Sequence, residues 1–168
     1  MSVAPAGSTR KMRVRIDFSP DRERQVAAVT GQSQLIRIRI AGGAGGAAVE
    51  HCLQIFEAAS IPLTHLDLEG QELRAWFTIA DVPDWGEVRK RLDNVLGDAL
   101  ELGEEGAVTM VGHGIGGNPQ IINKARASAV SAGVPLNAVS VSPLRVTLWC
   151  DRPHVDELVR ALHKTFID

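Results

Sequence analysis

Apolar and polar residues alternate in short runs along this chain, and glycine and proline punctuate the runs. Val14, Ile16 and Phe18 alternate with Arg13, Arg15 and Asp17, the period of a strand, until Ser19-Pro20-Asp21 breaks it. Val26 to Val29 is a second short apolar run, ended by Thr30-Gly31. Leu35 to Ile40 is rich in β-branched residues and predicts a strand with its charges on one face. A Gly-rich stretch, Ala41 to Gly46, leads into Ala47 to Ser60, where Val49, Leu53 and Phe56 recur at helical spacing. Pro62 ends that helix. Leu63 to Leu68 and Leu73 to Ile79 read as strands around the turn Glu69 to Glu72. Trp85 to Leu96 reads as a helix, with Asp84 and Glu87 at the spacing of a capping box. Ala99 to Leu102 reads as a short final strand.

The second half repeats the order. Val108 to Val111 predicts a strand and Gly112 to Pro119 a Gly-rich loop. Gln120 to Ala132 predicts a helix, Leu136 to Val141 and Leu144 to Cys150 strands, and the residues from Asp151 to about Phe166 a helix. Asp151-Arg152-Pro153 has the form of an N-cap followed by proline in the first turn. Aligning Ile61-Pro62-Leu63 on Val134-Pro135-Leu136 gives a repeat of about 73 residues. Each copy reads strand, loop, helix, strand, turn, strand, helix. The first copy has a fourth strand and the second does not, because the sequence stops at Asp168. A three-stranded sheet leaves a bare edge. The spare run Val26-Ala27-Ala28-Val29 has the right length to fill it. The expectation is α+β: two interleaved ferredoxin-like (βαββαβ) units with antiparallel sheets and helices on one face. The first covers 33–105. The second covers 106–168, with 25–32 as its last strand. Residues 1–24 are expected to be a flexible tail carrying the extra strand.

Composition narrows the function. The chain is 45 % hydrophobic and 23 % charged with a net charge of -2, so neither a nucleic acid nor an anionic membrane is an expected partner. The N-terminus lacks the apolar core of a signal peptide, and Cys52 and Cys150 form no disulfide framework. The plain reading is two reduced, buried thiols in a cytoplasmic protein.

With the repeat in place, the sequence resembles a known family. Val108-Thr109-Met110-Val111-Gly112, the loop through Asn118-Pro119, Ala132 to Leu136, Val139 to Ser142 and Leu158 to Phe166 are similar, in order, to the C-terminal ACT domain of aspartokinases. Ala28-Val29-Thr30-Gly31 stands where that family has a Val-Thr-Gly-Val-Ala strand. The resemblance spans roughly residues 25–168. It implies interleaved ACT domains that bind an amino acid at an ACT–ACT interface, form a homodimer and modulate a partner kinase or other biosynthetic enzyme. It implies no catalysis and no cofactor. The ligand residues it implies are Gly42, Gly43, Ala44, Gly45 and Gly46 in the first loop, with Pro62 and Thr64 after the first helix. In the second repeat they are Gly114, Ile115, Asn118, Pro119 and Gln120, with Pro135 and Asn137. Bottom-up chemistry agrees in part. A strand-to-helix loop exposes backbone N–H groups that suit a carboxylate, although glycines there also serve a tight turn with no ligand at all. Two departures stand out. The family's Asp-Lys-Pro-Gly is replaced by Ala44-Gly45-Gly46-Ala47, and its acid early in the next strand by Thr64. Neither a lysine nor a threonine effector is therefore expected, while the loop amides leave room for a neutral or less cationic amino acid.

Other chemistry is thin. His51, Cys52, His65, His113, Cys150 and His154 show no three-ligand metal spacing and no thiol with an oriented base. Gly112-His113-Gly114-Ile115-Gly116-Gly117 nearly fits Gly-x-Gly-x-x-Gly, but the elements around it do not suit a Rossmann sheet. Trp76, Trp85 and Trp149 read as too scattered for a base-stacking platform. The competing readings are a small biosynthetic enzyme using His113, Cys150 and His154, and a structural dimerisation module with a degenerate effector site.

Overall fold

The computed structural model describes residues 25–168. The alternating segment at Val14 to Phe18 and the expected tail lie outside them. Ten main elements follow one another: β1 (Val26–Ile40), α1 (Gly46–Ala58), β2 (Leu63–Glu69), β3 (Glu72–Thr78), α2 (Trp85–Leu96), β4 (Leu100–Gly112), α3 (Pro119–Ser131), β5 (Leu136–Ser142), β6 (Arg145–Cys150) and α4 (Val155–Phe166). The strands form one antiparallel sheet in the order β2-β3-β1-β4-β6-β5.

The two central strands are longer than the sequence suggested. Val26–Val29 and Leu35–Ile40 are one strand, and so are Ala99–Leu102 and Val108–Val111. Glycines inside both strands are places of close approach. A Cβ on Gly31 would lie 2.8 Å from both Val155 and Val159 of α4. A Cβ on Gly106 would meet Val155 at 2.1 Å and the Gln32 carbonyl at 3.2 Å. Gly103 lets the Arg37 side chain lie flat across β4, 3.1 Å from where a Cβ would be. The pairing absorbs the bend through an irregularity between Gln32 and Leu35. The expected boundaries after residues 32 and 105 both fall inside continuous strands.

Three apolar clusters follow from the two-residue period of the strands. On the helix face, Ile36, Ile38, Ile40, Leu73 and Phe77 pack with α1 and α2. Val108, Met110, Val146 and Leu148 pack with α3 and α4, and Val26, far away in sequence, joins this second cluster. Val26 to Gln32 pair with Ala107 to Gly112, while Leu35 to Ile40 pair with Leu100 to Glu105. The third cluster, Leu35, Trp76, Ala107 and Trp149, lies on the opposite, helix-free face.

Two expected caps are not made. Asp84 makes no side-chain cap to α2, and Glu87 pairs with Lys90 at 2.8 Å instead. The Asp84 backbone carbonyl already takes the amides of Glu87 and Val88. Asp151 makes no side-chain cap either; its carboxylate accepts from Asn137 Nδ2 at 3.0 Å.

Candidate functional site

The first Gly-rich loop leaves β1 at Ile40. Gly42–Ala44 make a single tight turn, closed by the Ala44 amide donating to the Ala41 carbonyl at 3.0 Å. Ala44 packs on the first core. Gly45 has φ +84 and ψ 160, a backbone state essentially confined to glycine. It occupies the N-cap of α1, which begins at Gly46 with no side-chain cap and no acid in its first turn. Apart from the Ala48 amide, which reaches the Gly45 carbonyl at 3.2 Å, first-turn amides are left for an outside acceptor.

The second loop is closed by its own side chains. Gly114 has φ +69, Ile115 is fully buried, and a Cβ on Gly116 would lie 1.7 Å from the Ser142 carbonyl. The loop is therefore pressed onto the β5–β6 turn. Asn118 Oδ1 accepts from the Gln120 amide at 3.0 Å, and Asn118 Nδ2 donates to Gln25 at 3.1 Å. Pro119 opens α3, where a missing N–H costs nothing. Asn118 thus caps the helix that an anion would otherwise cap.

The two loops stand at opposite ends of the sheet's centre. Ile40 pairs with Leu100 and Val26 with Gly112. The 13 residues of β4 separate those ends by about 40 Å at the usual rise per residue. One chain does not bring them together. Of the remaining residues implied by the resemblance, Pro62 and Pro135 precede β2 and β5. Thr64 lines a groove on the open face, and Asn137 donates to Glu105 at 3.3 Å and to Asp151.

The open face holds the side chains that sequence reasoning passed over. Trp76 and Trp149 stack with ring centroids 4.4 Å apart and planes 24° apart, and His65 tilts against both at 5.4 and 5.6 Å. Their separation in sequence equals the repeat, which was the signal that they are structural equivalents. Trp85 sits elsewhere, edge-on to Phe77. Beneath the pair, Glu105 is 3 % exposed. It accepts from Trp76 Nε1 at 2.7 Å and pairs with Arg37 at 3.1 Å. Arg39 and Arg74 share Glu72, at 3.1 and 2.8 Å, and Arg39 also reaches Glu101 at 2.9 Å. His65 bonds Asp67 at 3.1 Å. A register irregularity between Leu63 and His65 breaks the strand alternation, so Thr64 and His65 line one groove instead of opposite faces.

The thiols are buried. Burial pushes Cys52 up to about 12, and burial with Asp151 and Glu105 nearby pushes Cys150 up to about 11. Neither is a thiolate near neutrality. Among the described residues no three His, Cys, Asp or Glu converge as metal ligands, and no helix is long and apolar enough to cross a membrane.

No protein-family model and no curated protein matches the chain. Solved structures do. The ligand-free regulatory subunit of aspartate kinase from Thermus thermophilus matches at TM-score 0.71 and 16 % identity, over 85 % of this chain and 99 % of that one. Clostridium acetobutylicum aspartate kinase matches at 0.72 and 15 % identity, over 84 % of this chain and 35 % of that enzyme. E. coli aspartokinase III, solved with lysine and aspartate, matches at 0.67 and 9 % identity, over 86 % and 34 %. The chain's α+β, ACT-like architecture resembles the regulatory subunits and C-terminal regulatory domains of aspartate kinases over most of its length.

Proposed function

We propose that this chain is a non-catalytic regulatory module built from two interleaved ferredoxin-like units, 33–105 and 106–168, with 25–32 as the last strand of the second. In this reading the module binds a small amino acid or related metabolite and modulates a partner enzyme. The supporting observation for the interleaving is the pairing of Val26 to Gln32 with the second half of β4, together with the place of Val26 in the second core. The observation that carries the ligand reading is the asymmetry of the two loops. The first leaves the α1 N-terminus uncapped, while Asn118 fills the equivalent place at α3. An amino acid's carboxylate suits the first loop, where amides and the helix dipole face it. The loops of one chain are far apart, so a complete ACT–ACT site would form between copies, and the module is a homodimer. Sedimentation at micromolar concentration tests the dimer, and a monomer there defeats it. A thermal-shift screen of the common amino acids tests the ligand. Stabilisation by a neutral amino acid, abolished in Gly45→Ala, is the expected result. Silence across the panel, with no effect on any co-purified enzyme, would leave only a structural dimerisation role.

A further inference from the structure

Chemistry outside the two loops gathers in three places. The arginines on β1 and β3 are matched by Glu72, Glu101 and Glu105, so that end of the open face is neutralised within the chain. The two cysteines are sealed in the core. The third place is a groove of about 620 Å³ on the open face, where Arg145 has no ion-pair partner among the described residues.

We infer that this groove binds a small polyhydroxylated organic anion, with Arg145 receiving the acid group and a row of hydroxyls receiving the polar body. The row follows from strand register. Thr30 is opposite Thr109, Thr109 opposite Thr147, and Thr147 opposite Ser140, so four hydroxyls cross four adjacent strands in line. At the usual strand spacing the row is about 14 Å long. Each hydroxyl both donates and accepts, as a polyol's own hydroxyls do. Thr109 and Thr147 lie 3.1 Å apart, so one donates to the other and the acceptor's proton is free to point outward. Trp149 Nε1 donates to Ser140 Oγ at 3.2 Å, which leaves the Ser140 proton free in the same way.

Charge selects the anion. The groove is lined by one arginine and one histidine and by no carboxylate, in a chain with 20 acidic and 18 basic residues. Arg145 makes no ion pair among the described residues, whereas Arg37, Arg39 and Arg74, the arginines of the neighbouring open-face site, all do. It stands one open-face row beyond the hydroxyls, opposite Val111 and Ser142. A guanidinium beside neutral donors suits a carboxylate or a phosphate equally. Thr64 and His65 close the groove from β2, so its walls come from both halves of the chain. The volume lies in the range of small-molecule sites.

Titration of the full chain with gluconate, glucose 6-phosphate and neutral sorbitol tests this. At least one anion is expected to bind with a Kd below about 1 mM, and sorbitol about tenfold more weakly. The stronger of the two anions identifies the acid group. Arg145→Gln and Thr147→Val should each weaken that anion by about tenfold, Arg145→Gln with the wild-type melting temperature and Thr147→Val with only the small drop expected from losing its bond to Thr109. Thr147→Val is close in size, so it keeps the test valid if Arg145→Gln folds poorly. Failure of both anions to bind overturns the proposal. So does binding that neither substitution changes, or a dimer that Thr147→Arg dissociates, which would make the groove a contact between copies. An amino acid held by the first loop is insensitive to Arg145→Gln, so this inference and the regulatory reading fail separately.

Discussion

Glu105 places a carboxylate, 3 % exposed, in the middle of the open face, where an unpaired charge would be costly. It persists because Trp76, Arg37 and Asn137 all donate to it, from β3, β1 and β5. It therefore ties the two halves of the molecule together. Glu105→Gln keeps an acceptor for Trp76 but removes the partner of Arg37, and should cost about 1–3 kcal/mol in urea unfolding. Tryptophan fluorescence in the folded state should shift as the Trp76–Trp149 pair loosens. Glu72 offers a pH test. Arg39, then Arg74, hold its carboxyl below the ordinary 4.5. A depressed folded pKa stabilises the fold above the unfolded value and loses that effect as pH falls through the lower, folded one. Glu72→Gln should therefore lower the melting temperature at neutral pH, and the deficit should close as the pH drops below about 4.5. A deficit unchanged at low pH would mean that packing, not charge, is what Glu72 contributes.

At the scale of elements, the glycines divide into those that allow approach and those that only turn. Gly116→Ala puts a Cβ 1.7 Å from the Ser142 backbone and should destabilise by more than about 2 kcal/mol. Gly45→Ala meets no atoms but must hold φ +84, a cost of about 1–3 kcal/mol. Gly43→Ala has open space and no positive φ, so it should be neutral or stabilising by about 0.5 kcal/mol. Thermal unfolding of the three variants checks the order. The same distinction explains what the sequence could and could not tell. The four helices were legible from spacing and the strands from alternation, because the core faces impose those periods. Gly31 read as the end of a run and Gly103 and Gly106 fall between two runs read as separate strands, yet they are where α4 and Arg37 lie close to β1 and β4. A glycine that ends a strand and one that admits a neighbour look alike until the neighbour is known. The open-face pair Trp76 and Trp149 was hidden for another reason. Each sits in an apolar run, between Ala75 and Phe77 and between Leu148 and Cys150, so alternation did not show that it faces away from the helices.

Across the whole molecule, charge placement bears on the ligand proposed for the first loop. Lysine brings two ammonium groups, and each needs an acid or several acceptors when it leaves water. The resemblance implies acids at positions 44 and 64, and this sequence has Ala44 and Thr64 there. Ala44 packs on the helix-face core, and Thr64 lines a groove without a carboxylate. Asp67 is engaged by His65. Glu72 lies beside the loop, its Cβ 3.8 Å from where a Cβ on Gly42 would be. It is held by Arg39 and Arg74. Both arginines bond its Oε1, so an ammonium group brought to this carboxylate would meet two guanidinium charges already beside it, and that repulsion disfavours the lysine side chain. Lysine should therefore bind more weakly than about 100 μM, equivalent to about 5.5 kcal/mol, in isothermal titration. A neutral amino acid needs acceptors for only one ammonium group and is less affected. Supplying the missing acids, as Ala44→Asp with Thr64→Asp, should strengthen lysine relative to the neutral amino acid. Tight lysine binding by the unmodified protein, lost in Glu72→Gln, would show instead that the ligand displaces the arginines and recruits Glu72.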